Sequence, residues 1–176
     1  MFIIPNITAI LQKRIILTTL PFCEQKTLIT GCGIIEIGRN CSFGYKLGGF
    51  HKRGVIELQP RYNKAHIKMG NNIATNNNIF ICAANSIEIG DDTLIGQYVT
   101  IMDHEAHGIP PDKRRELGEI GEVVIGKNVW IGNNVTILKN SRIGDNSIIA
   151  AGAVVSGKFP ENVIIGGIPA KIIKTL

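Results

Sequence analysis

Two histidines lie three residues apart in a polar segment near the middle of the chain. His104 and His107 belong to the run DHEAHGIPPDKRREL, which also carries the carboxylates of Asp103 and Glu105. An imidazole changes its charge near neutral pH, so either histidine could take a proton from a hydroxyl group as that group attacks an electrophile. The carboxylates could orient such an imidazole or bind a polar substrate. This segment is the first candidate for acid–base chemistry.

The residues that must position this segment follow a six-residue period. From Ile125 the hexads read IGKNVW, IGNNVT, ILKNSR, IGDNSI and IAAGAV, and a sixth opens at Val155. An aliphatic residue therefore opens six successive units at one spacing. Upstream, Ile89, Ile95 and Ile101 share the phase, because the separation of Ile101 and Ile125 is a multiple of six.

A period of six matches neither the alternation of a simple strand nor the turn of a helix. A short strand followed by a tight turn explains it, with Asn and Asp at the third and fourth positions tolerating left-handed backbone. Three such sides close one coil of a triangular prism, so residues 18 apart stack, as Ile125 on Ile143 and Ile131 on Ile149. We therefore expect an all-β chain, a parallel β-helix stabilised between neighbouring coils. The alternative, an Ile-rich β-sandwich, would show no fixed register of six.

The pattern predicts one domain over residues 1–176. Residues 102–123 break the period and contain Pro110 and Pro111, which predicts an extruded loop that carries the active site. Residues 1–30 are expected to cap the open end of the prism with a strand or a helix. Residues 45–66 are expected to form two longer strands joined by a turn, and residues 168–176 a C-terminal tail.

Composition and charge exclude several classes of protein. The formal charge is +5, but aromatic residues make up only 6% and no basic run reaches five, which argues against nucleic-acid binding. The four cysteines form no CxxC pair, and we expect them at small buried positions and not in a metal site. Residues 1–20 lack the charge order of a signal peptide, and no stretch is long enough for a membrane span. These features predict a cytoplasmic protein.

The sequence resembles the hexapeptide-repeat acyltransferases, among them the maltose and galactoside O-acetyltransferases and the capsule and lipopolysaccharide O-acetyltransferases. Three stretches carry the resemblance: DHEAHGI, VVIGKNVWIGNNVTILKN and AAGAVVSGKFPENVIIGGIPAKIIK. The resemblance implies a left-handed β-helix and a homotrimer with active sites between subunits. It also implies transfer of an acetyl group from acetyl-CoA to a hydroxyl of a sugar or saccharide, as in polysaccharide biosynthesis.

The resemblance also assigns roles to residues. His107 matches the last position of the family's Asp-x-x-x-His pattern and is the predicted general base, with His104 as the rival. Asn76 matches a position that contacts the acceptor, and Asp103, His104 and Glu105 are further candidates for binding it. The residues expected to contact coenzyme A along its pantetheine arm and at its phosphates are Trp130, Asn133, Ala151, Gly152, Ser156, Lys171 and Lys174. If the tail is helical, the two lysines lie on one face.

Three alternatives remain beside an O-acetyltransferase. An N-acyltransferase that acts on an amino-sugar nucleotide would use the same kind of base and differ only in its acceptor pocket. A β-helical carbonic anhydrase would need three zinc histidines, and the spacing of His104, His107 and His66 fits this poorly. A non-enzymatic binding module would not require a histidine in a long loop together with a lone tryptophan and a basic tail.

Overall fold

The computed structural model describes residues 2–176 and begins with a short helix followed by many short strands. In chain order the elements of the first half are α1 (Ile3–Leu11), β1 (Ile15–Leu17), β2 (Phe22–Cys23), β3 (Thr27–Ile29), β4 (Ile34–Ile37), β5 (Ser42–Phe43), β6 (Ile56–Pro60), β7 (His66–Met69), β8 (Ala74–Thr75), β9 (Phe80–Ala83), β10 (Ser86–Ile89), β11 (Leu94–Ile95) and β12 (Thr100–Met102). After a 3₁₀ helix (Pro111–Lys113) follow β13 (Glu122–Ile125), β14 (Trp130–Ile131), β15 (Thr136–Ile137), β16 (Ser141–Ile143), β17 (Ile148–Ile149), β18 (Val154–Val155), β19 (Lys158–Phe159), β20 (Val163–Gly167) and β21 (Ala170–Thr175).

Every third strand joins the same sheet. Within the described residues, sheet A has the order β1-β4-β7-β10-β13-β16-β19, sheet B the order β2-β5-β8-β11-β14-β17-β20-β21, and sheet C the order β18-β15-β12-β9-β6-β3. All neighbours run parallel except β20 and β21. The chain therefore winds around a three-sided prism, one strand on each side per coil.

The registers confirm the stacking predicted from the period. Ile125 pairs with Ile143, Ile131 with Ile149, and Ile137 with Val155. These side chains fill the prism and are 0–3% exposed. The left-handed turns are also as predicted, since the fourth residue of four consecutive hexads, an asparagine each time, has a φ of 53–62° at Asn128, Asn134, Asn140 and Asn146.

Two insertions interrupt the coils, and the first of them explains why the period is weak upstream. Ile37 pairs with Met69, yet their separation in the chain far exceeds three hexads, because residues 44–55 leave the coil between β5 and β6. Residues 103–121 leave it between β12 and β13, and this insertion of three hexad lengths keeps the phase. The expectation of two long strands within residues 45–66 is wrong: β6 is there, preceded by irregular backbone and followed by a turn to β7.

Helix α1 covers the start of sheet C. The side chain of Asn6 donates to the carbonyl oxygen of Thr27 and accepts from the N–H of Ile29, at 2.9 and 2.7 Å. These contacts provide hydrogen-bond partners for backbone groups of β3, which is the edge strand of sheet C. Residues 1–30 therefore contain a helix and the first complete coil. Among the cysteines, Cys41 and Cys82 are buried as expected, whereas Cys32 is exposed, which corrects that part of the prediction.

Candidate active site

The insertion at residues 103–121 is a paired arm, which we call the loop arm. Glu105 N–H donates to the carbonyl oxygen of Glu119 at 2.9 Å, Gly118 N–H donates to Glu105, and Gly121 N–H donates to Asp103 at 2.7 Å. Nearer the tip, Gly108 N–H donates to the carbonyl oxygen of Glu116. The two limbs are thus held together by backbone hydrogen bonds, and the arm has a defined shape.

Asp103 lies at the root of the loop arm and is fully buried. Its Oδ1 accepts from the N–H of Ala84 at 2.7 Å, and its Oδ2 accepts from the N–H of Asn85 at 2.8 Å. These two donors belong to the preceding coil, so the carboxylate fixes the arm to the prism. The prediction that Asp103 binds the acceptor is therefore wrong, because its oxygens have no access to a ligand.

Both ring nitrogens of His104 are engaged. Nδ1 lies 2.9 Å from Oδ1 of Asp103, and Nε2 lies 3.2 Å from a guanidinium nitrogen of Arg61. A guanidinium only donates, so Nε2 must offer its lone pair to Arg61, and Nδ1 carries the proton toward Asp103. The side chain is 0% exposed. These contacts orient the His104 ring and favour His107 as the base, and the binding of the acceptor by His104 stays a prediction.

His107 lies near the tip of the arm and is exposed. Its Nδ1 lies 2.8 Å from the carbonyl oxygen of Arg114, which follows the 3₁₀ helix across the tip. Because a carbonyl oxygen only accepts, Nδ1 must be the protonated nitrogen. Nε2 is then left with its lone pair on the exposed side of the ring, the form that a general base requires.

Glu105 and Glu119 close the arm through one lysine. Nζ of Lys139, in the turn of the next coil, forms ion pairs with both carboxylates, at 3.3 Å from Oε1 of Glu105. The hydrogen bond from Lys139, followed by its charge, lowers the pKa of Glu119, and the bond to Glu119 raises the pKa of Lys139. Glu105 thus serves to hold the arm, and this use competes with the predicted binding of the acceptor.

A cleft on sheet B gathers three of the predicted binding residues. Asn76, Trp130 and Asn133 line a depression of about 470 Å³, with Tyr45 and Leu94 at its sides. Trp130 is 56% exposed, so its ring is available to a ligand. Oδ1 of Asn76 accepts from the N–H of Asn77, and Oδ1 of Asn133 accepts from the N–H of Gln97. The amide groups therefore have one end fixed by the coil.

Ala151 and Gly152 occupy the turn one coil above Asn133. Gly152 has a φ of +74°, and a Cβ built on it would meet nothing within 4 Å. The space over this turn is therefore open. Ser156 does not join this group: it lines a second depression, of about 380 Å³, with His104, Glu105 and Lys139.

The tail is a strand and not a helix. Strand β21 runs antiparallel to β20, with Lys171 opposite Gly166 and Lys174 opposite Ile164. Because Gly166 and Ile164 are two residues apart on one strand, both lysines lie on the same face, and both are exposed. The two lysines share one face as expected. They do so because of a register shift between Ile164 and Ile165 and not because of helical spacing.

The predicted residues thus fall at two different corners of the prism. Asn76, Asn133 and the pair Ala151–Gly152 lie in turns between sheets B and C (76–79, 132–135 and 150–153). The loop arm and Ser156 lie in turns between sheets C and A. One side of the prism separates the corners, which is roughly 15–20 Å for a six-residue side. A single chain therefore does not bring the candidate base to the candidate binding cleft.

Sequence analysis did not identify two residues of the site. Arg61 lies 43 residues before His104, and Lys139 lies 20 residues after Glu119. Both contacts arise only through the stacking of coils. Lys139 belongs to the hexad ILKNSR, but the hexad pattern does not indicate its partner. No three His, Cys, Asp or Glu side chains within residues 2–176 come together as they would around a metal ion.

Comparisons with known proteins agree with the fold. The family model for bacterial transferase hexapeptide, six repeats, matches residues 122–157. Over 156 residues, the chain is 41% identical to the protein WbbJ of Escherichia coli K12, assigned as a lipopolysaccharide biosynthesis O-acetyl transferase, covering 81% of this chain and 72% of the relative. It is 36% identical over 116 residues to galactoside O-acetyltransferase of the same organism, covering 64% of this chain and 55% of that protein.

A solved structure gives the same result. The hexapeptide-repeat acetyltransferase VCA0836 of Vibrio cholerae O1 biovar eltor, complexed with acetyl-CoA, superimposes with a TM-score of 0.58 at 27% identity, over 85% of this chain and 70% of that one. The fold and these relationships define a β-helical acyltransferase. The chain belongs to the hexapeptide-repeat acetyltransferases. The predicted left-handed β-helix, the CoA-dependent acetyltransferase class and acetyl-CoA as co-substrate are thereby confirmed.

Proposed function

We propose that this enzyme transfers an acetyl group from acetyl-CoA to a hydroxyl of a saccharide, with His107 as general base. The observation that carries the assignment is the contact between Nδ1 of His107 and the carbonyl oxygen of Arg114, at 2.8 Å. It fixes the tautomer that leaves Nε2 unprotonated. The contact of Arg61 with the Nε2 lone pair of the neighbouring His104 supports His107 over His104.

The chemistry requires one proton to move twice. Nε2 of His107 takes the proton of the acceptor hydroxyl while the oxygen forms its bond to the thioester carbonyl carbon. When the carbon–sulfur bond breaks, the imidazolium returns that proton to the leaving thiolate, and the ester and free coenzyme A are the products. The hydrogen bond to Arg114 keeps the ring oriented in both steps, because Nδ1 remains protonated throughout.

The outer face of sheet B suits coenzyme A. Trp130 pairs with Ile148, Ile148 with Ile164, and Ile164 with Lys174, so these residues form one column on the outside of the sheet. Three strand spacings place Lys174 roughly 14 Å from Trp130 along that column. A pantetheine arm against Trp130 and Asn133 would direct its phosphates toward Lys171 and Lys174, whose ammonium groups suit them. The open surface over Gly152 leaves room for this arm.

The separation of the two corners supports a homotrimer with shared sites. In a trimer of parallel prisms, the loop arm of one subunit would face the cleft of its neighbour at Asn76 and Trp130. Ser156, which lies beside the arm, would then contact coenzyme A held by the neighbouring subunit. A heterologous interface that closes after three copies produces three equivalent sites.

The acceptor class follows from the relatives and from the cleft. Two relatives are described as O-acetyltransferases of a galactoside and of lipopolysaccharide biosynthesis. Asn76, with one amide end fixed by the coil, would hydrogen-bond a sugar hydroxyl and place another near His107. We assign the enzyme to polysaccharide biosynthesis in the cytoplasm, where it would modify a saccharide before export.

A thiol-release assay over sugars, nucleotide sugars and amines tests this function. We expect wild type to release coenzyme A with a hydroxyl acceptor, and His107→Ala to lower kcat by about 10²–10⁴-fold. Because His107 is exposed, the free energy of unfolding of this variant should lie within about 0.5 kcal/mol of the wild-type value. His66→Ala, on the outer side of sheet A, is the matched control and should keep full activity.

His104→Ala separates the two histidines. Its loss leaves the buried Asp103 and the half-buried Arg61 without their shared partner, so we expect a clear fall in thermal stability together with a partial loss of activity. If His104→Ala abolishes turnover and His107→Ala does not, the base is misassigned. Turnover with amines but not with hydroxyl acceptors would establish the N-acyltransferase alternative.

A further inference from the structure

Helix α1 presents an apolar face to solvent. Ile3, Ile4, Ile7 and Leu11 are 49%, 69%, 53% and 76% exposed. Residues 3, 7 and 11 are each four apart, and residue 4 is adjacent, so these side chains share one face of the helix. Large aliphatic side chains grouped in this way mark an interaction surface.

This face is not available to the protein's own core. The opposite side of α1 carries Phe2, Asn6 and Ala9, which are buried. The side chain of Asn6 bonds to both Thr27 and Ile29 at the edge of β3. These contacts fix the rotation of the helix, so the aliphatic face must point away from the prism.

The net positive charge of the chain is concentrated at the N-terminal end, where helix α1 lies. Residues 1–55 contain seven Lys and Arg against two Asp and Glu, whereas residues 56–176 contain twelve of each sign. The whole formal charge of +5 therefore belongs to the first two coils and their helix. The exposed cations are Lys13, Lys26, Arg39, Lys46, Lys52 and Arg53.

The insertion at residues 44–55 starts from the second coil and reaches later coils, because Phe50 packs edge-on against Tyr98 and the side chain of Asn77 donates to the carbonyl oxygen of Gly49. Nε2 of Gln25, in the first coil, donates to the carbonyl oxygen of His51 at 3.2 Å and so ties the insertion to that coil. The insertion exposes Leu47 and Phe50, at 76% and 55%, next to its basic residues. The contact with Gln25 thus brings the basic residues that follow His51, Lys52 and Arg53, beside the first coil.

We propose that this end binds the surface of an anionic lipid bilayer. Helix α1 would lie in the interface with its aliphatic face among the acyl chains, while the surrounding cations contact lipid phosphates. A nine-residue helix is about 14 Å long, too short to span a bilayer, and no helix within residues 2–176 is long and apolar enough to do so. A second copy docked end to end would bring like charge against like charge, which disfavours it.

This surface is independent of the acyl-transfer proposal, and vesicle co-sedimentation tests it. We expect wild type to sediment with phosphatidylcholine vesicles in which one lipid in three is phosphatidylglycerol. With pure phosphatidylcholine, or in about 1 M salt, sedimentation should fall at least tenfold. The triple variant Ile4→Gln, Ile7→Gln, Leu11→Gln should bind at least tenfold more weakly. Glutamine keeps helix propensity at these exposed positions, and circular dichroism checks the fold.

The electrostatic contribution to bilayer binding is tested with a matched control. Lys13→Gln, Lys26→Gln, Lys52→Gln should weaken binding at least tenfold, because each cation near such a surface contributes about fivefold. Lys68→Gln, Lys127→Gln, Lys158→Gln removes the same charge from later coils and should change binding less than about threefold. Equal losses for the two lysine triples, or full binding by the glutamine triple, would overturn the proposal. So would a concentration-dependent doubling of mass that the glutamine triple abolishes, since a second copy would then occupy the face.

Discussion

At the residue scale, the two histidines of the loop arm differ in what their ring nitrogens contact. His104 is buried between a carboxylate and a guanidinium, and Arg61 occupies the lone pair of its Nε2. His107 makes one contact to a backbone carbonyl and keeps the other nitrogen accessible. The types and spacing of the residues predicted a base in this segment. The resemblance already ranked His107 before His104, and the contact of Arg61 with His104, which requires the fold, supplies a physical reason for that order.

Replacing Trp130 should weaken the binding of acetyl-CoA. The ring is exposed and begins the column that leads to Lys174, so its loss removes an apolar and aromatic contact to the pantetheine arm. We expect Trp130→Ala to raise KM for acetyl-CoA about 5–30-fold, equivalent to about 1–2 kcal/mol, with a smaller change in kcat. Steady-state kinetics at varied acetyl-CoA measures both parameters.

The same residue gives a direct binding signal. Trp130 is the only tryptophan in the sequence, so its fluorescence should change when coenzyme A is added. Trp130→Phe should retain most of the affinity because it keeps an aromatic ring. An unchanged KM in Trp130→Ala, together with no fluorescence response in wild type, would place coenzyme A elsewhere.

At the element scale, the loop arm is rigid because its limbs approach very closely. A Cβ added at Gly118 would lie 2.5 Å from the carbonyl oxygen of His107 and 2.6 Å from Cβ of Glu105. Gly118→Ala must therefore move the backbone that carries the base. We expect kcat to fall by about tenfold to a hundredfold, since displacements of about 1 Å have effects of this size.

Gly49→Ala is the matched control for this substitution. Its Cβ would meet only the end of the Gln97 side chain, at 3.2 Å, which can move aside. Activity of Gly49→Ala should stay close to wild type. If Gly118→Ala also keeps full kcat, the position of the arm is not what sets the rate.

The ion pairs of Lys139 with Glu105 and Glu119, which we call the Lys139 clamp, should contribute to stability in a pH-dependent way. The pKa of Glu119 is lowered in the folded protein, so its contribution to stability is present above the glutamate pKa of the unfolded chain and is lost as pH falls through the lowered value. The pKa of Lys139 is raised, so its contribution is present below the lysine pKa of the unfolded chain and is lost as pH rises through the raised value. The clamp should act between about pH 4.3 and pH 10.4.

Thermal unfolding of Glu119→Gln against wild type measures this window. We expect wild type to melt slightly higher at neutral pH and the difference to disappear in strong acid and strong base. Glu116→Gln, an exposed substitution on the same arm, should show no such dependence. A constant difference across the whole pH range would mean that the two groups do not titrate as a pair.

The elements of the C-terminal half were predictable because each hexad repeats one strand and one turn. The first half was not, because residues 44–55 and a longer coil between Met69 and Ile89 break the spacing. The roles of Asp103 and Lys139 were missed for a related reason. Their partners lie in adjacent coils, about 20 residues away, where short motifs carry no information.

At the scale of the whole molecule, the solenoid separates its functions along and around the axis. The charged and apolar end lies in the first two coils, the loop arm leaves the fourth, and the cleft extends from Ser42 in the second coil to Trp130 in the fifth. The corners that carry the arm and the cleft are on either side of sheet C. A β-helix is rigid along this axis, so no internal motion would bring them together.

A complementation experiment tests whether neighbouring subunits supply the two halves of each site. Chains with His107→Ala retain the cleft, and chains with Asn76→Ala and Trp130→Ala retain the base, so either alone should turn over poorly at low acetyl-CoA. In trimers formed from equal amounts of the two, about one quarter of the sites would pair an intact arm with an intact cleft. When the chains are co-expressed with different tags and purified through both, only mixed trimers remain, and each has one intact site in three. Activity should therefore rise to about one third of wild type. By light scattering, the purified species should have three times the chain mass of 19.1 kDa. If activity is no higher than the mean of the separate variants, each chain forms its own site. The loop arm would then have to reach a cleft at its own corner of the prism, which the predicted binding residues do not line.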